Sequence, residues 1–261
     1  MQALRTAATG MAAQQLNVEV ISNNIANMNT VAFKRQRAEF QDLLYQTLEQ
    51  PGAQSSDQGT IVPTGVQVGA GVKAGTVYRI STQGAMTQTG NPFDLAINGP
   101  GYFQVLTPAG DTEYTRAGNF AINDQGQLVT QDGYLIQPAV TIPAGATNVT
   151  VSQAGQVQVT QPGTTTPTVV GTLELSTFMN EAGLSAQGSN LFQETAASGA
   201  PTNTVPGVNG VGVLMQGYTE ASNVDPVSEI TALIVAQRAY EMNSKVISTA
   251  DSMLATANQV K

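Results

Sequence analysis

Apolar positions at the two ends of the chain follow a helical period. Leu4, Met11, Val18 and Ile25 recur at intervals of seven, and Ala7, Ala8, Ile21 and Met28 fill the neighbouring helical positions. This spacing predicts an amphipathic, coiled-coil-like helix over residues 3–28. Gly10 is its local weak point. Near the other end Leu233, Tyr240, Ile247 and Leu254 repeat the same interval, and Ile230 and Ile234 widen the stripe. Asp225-Pro226 reads as an N-cap followed by proline at the first helical position, so a second helix runs from there towards Asn258. At about 1.5 Å per residue each helix spans roughly 40–50 Å.

The middle has a different rhythm. From Gly59 to Gly217 short alternating runs are punctuated by Gly, Asn and Pro. Thr76–Ile80, Asp94–Ile97, Tyr102–Leu106, Phe120–Ile122, Gln127–Thr130, Thr147–Val151, Gln156–Thr160 and Thr172–Phe178 read as strands joined by hairpin turns. Asn123-Asp124-Gln125-Gly126 and Gln131-Asp132-Gly133 carry turn chemistry. Pro162 to Pro167 reads as a loop. The uncharged stretch Thr195–Thr219 reads as extended chain returning to the second helix. The fold class is therefore α+β: long terminal helices with a coiled-coil-like period, and a mostly antiparallel β-rich middle.

Two helices so placed have no sequence neighbour against which to bury their stripes, and an isolated helix is marginal in water. They must pair with each other, pair with another copy, or order only on assembly. Their second seams are small or polar: Ala8, Gln15 and Ser22 at the first helix, Gln237, Ser244 and Asp251 at the second. A packed environment with several neighbours tolerates such seams better than a self-sufficient dimer does.

Composition narrows the chemistry. The 261 residues contain no His, Cys or Trp. That removes a Ser-His-Asp triad, a Cys nucleophile, a Cys/His zinc site and a His- or Cys-ligated haem. Any metal would need oxygen ligands; no cofactor and no metal is expected. Charged residues are 11% of the chain, against roughly 25% in an average domain. The net charge of −8 argues against nucleic acid, which needs a basic face. No apolar run reaches the ~18 residues of a membrane span. The N-terminus lacks the apolar core of a cleaved secretory leader.

Lys34, Arg35 and Arg37 are three of only ten basic residues and read first as a solvated face beyond the first helix. Asp111, Glu113, Asp124 and Asp132 sit around turns, where such residues serve the backbone. The 123–126 turn lacks the ligand spacing of a calcium loop.

Several segments then resemble one family. Asn23-Asn24-Ile25-Ala26-Asn27-Met28-Asn29-Thr30-Val31-Ala32-Phe33-Lys34-Arg35 resembles the N-terminal signature of the bacterial flagellar rod and hook proteins, an NNxAN helix end followed by Thr-x-Gly-Phe-Lys. Ala32 stands where that pattern has Gly. Gln237-Arg238-Ala239-Tyr240-Glu241-Met242-Asn243-Ser244-Lys245 is similar to the family's QRAYExNSK helix. Asp94 to Phe103 is similar to its DLAIxGxGFF strand pair, and Tyr114 to Phe120 to its YTRxGxF hairpin. The motif residues carried over are Asn23, Asn24, Asn27, Thr30, Phe33, Lys34, Gln237, Arg238, Tyr240 and Asn243. The resemblance is strongest to the distal-rod members. Tyr45, Gln46, Pro51, Ser55, Ser56 and Pro63 lie in a stretch similar to their insertion, continued by Pro63-Thr64-Gly65-Val66-Gln67-Val68-Gly69.

The resemblance implies a non-enzymatic subunit of the basal-body distal rod, assembling helically into a hollow shaft that carries torque to the hook. It implies that the terminal helices (residues 1–30 and 225–261) form a coiled-coil-like inner domain around the export channel. A connecting domain (31–90 and 190–224) would hold the 46–63 insertion, and an outer β-rich domain would span 91–189. The assembly residues would be Leu4, Met11, Val18, Ile25, Ile230, Leu233, Tyr240, Ile247 and Leu254. Implied partners are further copies of the chain, proximal rod and hook subunits, the surrounding outer-membrane and peptidoglycan ring proteins, and the flagellar type III export apparatus. The implied location is the periplasmic basal body, reached without a cleaved leader. The alternatives are a proximal rod or hook subunit, a peptidoglycan hydrolase with two facing carboxylates, and a wall-polymer binding module.

Overall fold

The structure, a computed structural model, describes residues 2–52, 64–163 and 166–259. The chain is α+β, with one helix at each end and antiparallel strands between. It divides into two compact units: a helical unit of residues 1–26, 36–78 and 225–261, and a β unit of 27–35 and 79–224.

In the helical unit α1 spans Gln2–Ala26 and α2 spans Pro226–Gln259, close to the helices that the apolar period predicts. Asp225 caps α2, its carboxylate accepting from the Val227 and Ser228 N–H groups at 3.3 Å. The helices run antiparallel along each other. Asn24 meets Glu229 near one end, and Gly10 meets Asn243 a few turns away, where an added Cβ would stand 3.0 Å from the Asn243 amide nitrogen. Gly10, a weak point by propensity, is thus a point of close approach. Beside them lie β1 (Gln36–Asp42), β2 (Tyr45–Glu49), β3 (Val66–Gly69) and β4 (Val72–Arg79). β1 pairs with β4, and β2 with β3. Neither β1 nor β2 is evident from alternation, because their polar residues face water along much of their length.

The β unit begins with β5 (Met86–Gln88), β6 (Leu95–Asn98), β7 (Phe103–Leu106) and β8 (Thr112–Thr115). It continues with β9 (Ala121–Ile122), β10 (Leu128–Val129), β11 (Leu135–Gln137) and β12 (Asn148–Val151). Next come β13 (Gln156–Thr160), β14 (Thr168–Thr172), β15 (Leu175–Thr177) and β16 (Ser185–Gly188). β17 (Leu191–Gln193), β18 (Thr202–Thr204), β19 (Val213–Gln216) and β20 (Tyr218–Glu220) complete it. Seven strands form one sheet in the order β16-β17-β8-β7-β11-β10-β9, and β12-β13-β14 form another. The stretch 195–219, expected to be plain extended chain, contains three strands that close pairs with distant ones. β18 pairs with β15, β19 with β6, and β20 with β5. Its uncharged Asn, Thr and Gly residues hide this, since the pairing is set by the partner strands.

Period-two burial builds the core. Phe103 and Val105 on β7, and Val157 and Val159 on β13, are fully buried. Phe103, Val157 and Val159 join Leu95, Ile97 and others in one cluster. Tyr102 faces the other way into a second cluster with Tyr114 and Phe178, packed edge to face. The 123–126 turn forms as its residues predict. The Asn123 side-chain oxygen accepts from the Gln125 and Gln127 N–H groups at 3.0 and 2.8 Å, and Gly126 takes φ +78°.

Gly118 sits where β6 begins, its carbonyl accepting from Leu95 N–H at 2.9 Å. A Cβ there would fall on the Leu95 carbonyl oxygen, a backbone atom that cannot step aside. Gly118→Ala is expected to lower unfolding free energy by about 3 kcal/mol or more. Gly110→Ala has open space around it and φ +89°, so it should cost only about 1 kcal/mol. Urea denaturation of the two variants checks the difference.

Candidate assembly surface

α2 turns small residues inward and most of its large apolar residues outward. Among the described residues of α2 only Glu229 and Ala236 are buried. Ala232, Leu233, Ala239, Asn243, Ile247 and Ala250 are half-buried. Ile230, Ile234, Val235, Tyr240, Met242, Val246, Met253 and Leu254 are exposed, Met242 to 64%. On α1 the buried residues are Ala7, Ala13, Val20, Ile21 and Asn24. Leu4, Met11, Val18 and Ile25 flank them, half-buried. Of the nine assembly residues taken from the period, six are half-buried, and Ile230, Tyr240 and Leu254 are exposed. Alanine contacts let two backbones come close but bury little apolar area, so the large apolar side chains of α2 are left for something else to cover.

A second apolar surface lies on β2 and β3. Leu44 is 88% exposed, and Tyr45, Leu48 and Val66 are exposed as well. β2 and β3 pair Tyr45 with Gly69 and Glu49 with Val66. The Gln46 side chain accepts from Gln2 at the start of α1. Pro51 is exposed; Ser55, Ser56 and Pro63 lie outside the described residues.

The motif residues divide by role. Asn24 is buried and binds the backbone of Gln36 on both sides, its amide donating to Gln36 O and its oxygen accepting from Gln36 N–H, each at 2.8 Å. The same amide donates to Glu229 at 3.1 Å. Thr30 donates to the Asn27 side chain at 3.1 Å. Asn23 is exposed and Phe33 half-buried. Ala32 takes the left-handed conformation, φ 57°, and its N–H donates to Glu220 O at 2.8 Å. Alanine therefore accepts the backbone that the family's glycine provides. Gln237 is exposed, and Arg238 pairs with Glu241 at 3.1 Å on the surface.

Lys34 corrects the reading of a solvated basic face. It is buried, because its ammonium is held by the Glu220 carboxylate at 2.6 Å and by Thr82 O at 2.9 Å. The second Glu220 oxygen takes Arg116 Nε, also at 2.6 Å. Arg116 in turn donates to Gly101 O and Gly99 O. Burial by itself pushes the Glu220 carboxyl up. The Arg116 and Lys34 cations and the Gly84 N–H outweigh it and hold the carboxyl below the usual carboxylate range. Burial, then repulsion from Arg116, holds Lys34 below its usual range against the pull of Glu220. Sequence reading missed Glu220 and Glu229 altogether; the only signal was a carboxylate just before, and one just inside, a helix start. Arg116 lay inside a quoted motif without a role.

The same engagement shapes the surface of the β unit. Its Lys and Arg residues, Lys34, Arg35, Arg79 and Arg116, are all buried or half-buried, whereas Asp111, Asp124 and Asp132 are exposed. Among the described residues no group of acidic side chains has metal-site geometry, and no helix is long and apolar enough to cross a membrane.

Comparison with known proteins covers both ends and the middle. The family profile "Flagella basal body rod protein" matches residues 4–34. "Flagellar hook protein FlgE/F/G D1 domain" matches 96–159, and "Flagellar basal body rod FlgEFG protein C-terminal" matches 215–260. The chain is 69% identical over 261 residues to the flagellar basal-body rod protein FlgG of Caulobacter vibrioides, covering 100% of both chains. It is 39% identical to the protein of that name from Bacillus subtilis, covering 97% of each. Similarity to the rod protein FlgF of Caulobacter vibrioides is lower, 37% over 88% of this chain and 85% of the other.

The buried carboxylate sets an acid limit. A group whose folded-state value is depressed contributes stability that is complete above its unfolded value, about 4.3 for Glu. That contribution is lost as pH falls through the folded value. The melting temperature should therefore fall as pH drops below about 4. Glu220→Gln should be less stable at pH 7 yet lose less between pH 5 and 3. An equally steep acid limb in that variant would remove Glu220 from the account.

Proposed function

The chain belongs to the flagellar basal-body rod protein family, and from that premise we propose how it works as a structural subunit of the distal rod. Copies stack helically into a hollow shaft. α1 and α2 pair as a coiled-coil-like inner layer around the channel, and the β unit faces outward. Proximal rod subunits adjoin one end of the shaft and hook subunits the other. The ring proteins of the outer membrane and peptidoglycan surround it in the periplasmic space. The subunit arrives through the flagellar type III export apparatus. It has no enzymatic role, and torque passes through it as mechanical load.

The observation that carries this reading is the inverted helix pair. Small residues meet inside one chain, and a face of Ile, Val, Tyr, Met and Leu on α2 is left to water. A second copy of the same chain offers an apolar surface of like extent, and a helical stack covers both at once. The low charge density supports it, since charges at a subunit contact lose hydration.

Ile234→Asp places a charge on that face. Ile234 is 53% exposed, so the monomer should keep its stability to within about 0.5 kcal/mol. Filaments should fail to form, as judged by negative-stain imaging and sedimentation. Normal filaments would refute the role of this face.

We propose also that the stretch between β2 and β3 braces neighbouring subunits. The apolar side chains of Leu44, Tyr45, Leu48 and Val66 are exposed around its base and gain burial only against another copy. Replacing residues 53–62 with a short Gly-Ser turn should permit assembly but give filaments of shorter persistence length. Unchanged straightness would reject the brace.

A further inference from the structure

Three segments of the β unit carry the chain to or from the helical unit: residues 30–35, 79–85 and 218–224. They are tied to one another by two side chains. The Glu220 carboxylate holds Lys34 from the first segment at 2.6 Å and the Gly84 N–H from the second at 2.8 Å. The Asn223 side chain does the same with uncharged groups. Its oxygen accepts from Arg35 N–H at 2.6 Å, and its amide donates to Ile80 O and Thr82 O at 2.9 Å. Backbone bonds repeat the pattern. Ala32 N–H donates to Glu220 O, Ile80 N–H to Arg35 O, and Ala221 N–H to Ala85 O, each at 2.8 Å. Arg116 then fastens Glu220 to the loop after β6 through Gly99 O and Gly101 O.

We propose that Glu220 and Asn223 form a clasp that turns three separate connecting segments into a single joint at the edge of the β unit. Each side chain reaches both other segments, so loosening one tie exposes the groups held by the other. A buried ion pair with its remaining positions filled by backbone groups suits a fixed geometry better than apolar contacts do, because hydrogen bonds fix direction as well as distance. The Gly84 position shows how closely the segments meet: a Cβ there would fall on the Ala221 carbonyl oxygen. The joint stands on these contacts alone. Its use, passing load along the chain without the segments sliding past one another, rests on the rod reading above.

Two variants of the full-length chain test it: Lys34→Met, which leaves Glu220 paired with Arg116, and Asn223→Ala, which leaves every charge in place. Hydrogen exchange of the monomer is the first readout. Residues 31–35, 80–85 and 218–224 should exchange together, at least about tenfold faster than in the parent, in both variants. β7 and β13 should keep their protection. Faster exchange in only the segment that lost its tie would overturn the joint. So would loss of protection throughout the β unit, because the two side chains would then be holding the core. Filament persistence length is the second readout. Filaments of both variants should form and bend more easily. If the segments loosen but stiffness is unchanged, the mechanical use is overturned while the rod reading survives, since assembly itself is intact.

Discussion

A single carboxylate organises the chain. Glu220 is almost fully buried, and an unpaired ionised group there would cost several kcal/mol. Lys34 and Arg116 make it tolerable, and they lie 186 and 104 positions away in sequence. The ion pair therefore closes a very long loop: the segment that follows α1 and the segment that precedes α2 come to one place. Closing a loop of that length costs little more than closing one half as long, whereas leaving the charge unmet costs a great deal. The left-handed backbone of Ala32 and the close approach of Gly84 to Ala221 both serve this closure. Each brings a backbone N–H onto Glu220.

The helices obey a different constraint. A helix pair that stands alone normally buries its largest apolar residues. Here alanines, a glycine and two amide side chains line much of the contact, α1 buries only Val20 and Ile21 among its larger apolar residues, and many bulky residues of α2 are exposed. Close backbone approach gives fit without much hydrophobic gain. Asn24 adds direction to this contact, joining α1 to the Gln36 backbone and to Glu229. In the rod assembly proposed above, this division withholds the large apolar term until copies meet.

Polarity in the β unit is handled the same way. Three of its cations have partners inside the unit: Lys34 and Arg116 hold carbonyl oxygens and the Glu220 carboxylate, and Arg79 lies 4.7 Å over the Phe192 ring. The charges left at the surface are of one sign. A surface of like charge resists collapse onto itself, which suits the proposal that contact is made by exposed apolar side chains of α2 and of the β2–β3 pair.

The sequence by itself determined the two helices, the Asp225 cap, most strands of the core and the turns at Gly126 and Gly133. These depend on period and local turn chemistry, which neighbours in the chain carry. It also carried the family, through motifs that span both ends and the middle. Only the tertiary structure decided which side of each helix is closed. The seven-residue interval marks Leu4, Met11, Val18 and Ile25 as a stripe, yet the buried line runs through Ala7, Ala13 and Ile21, because the partner helix and β1 choose the face. Only the structure could turn Lys34 inward, since nothing near it in sequence announces a carboxylate two hundred residues away. The strands within 195–219 were equally hidden. Their residues are indifferent between loop and strand, and the hydrogen bonds that make them strands belong to β5, β6 and β15.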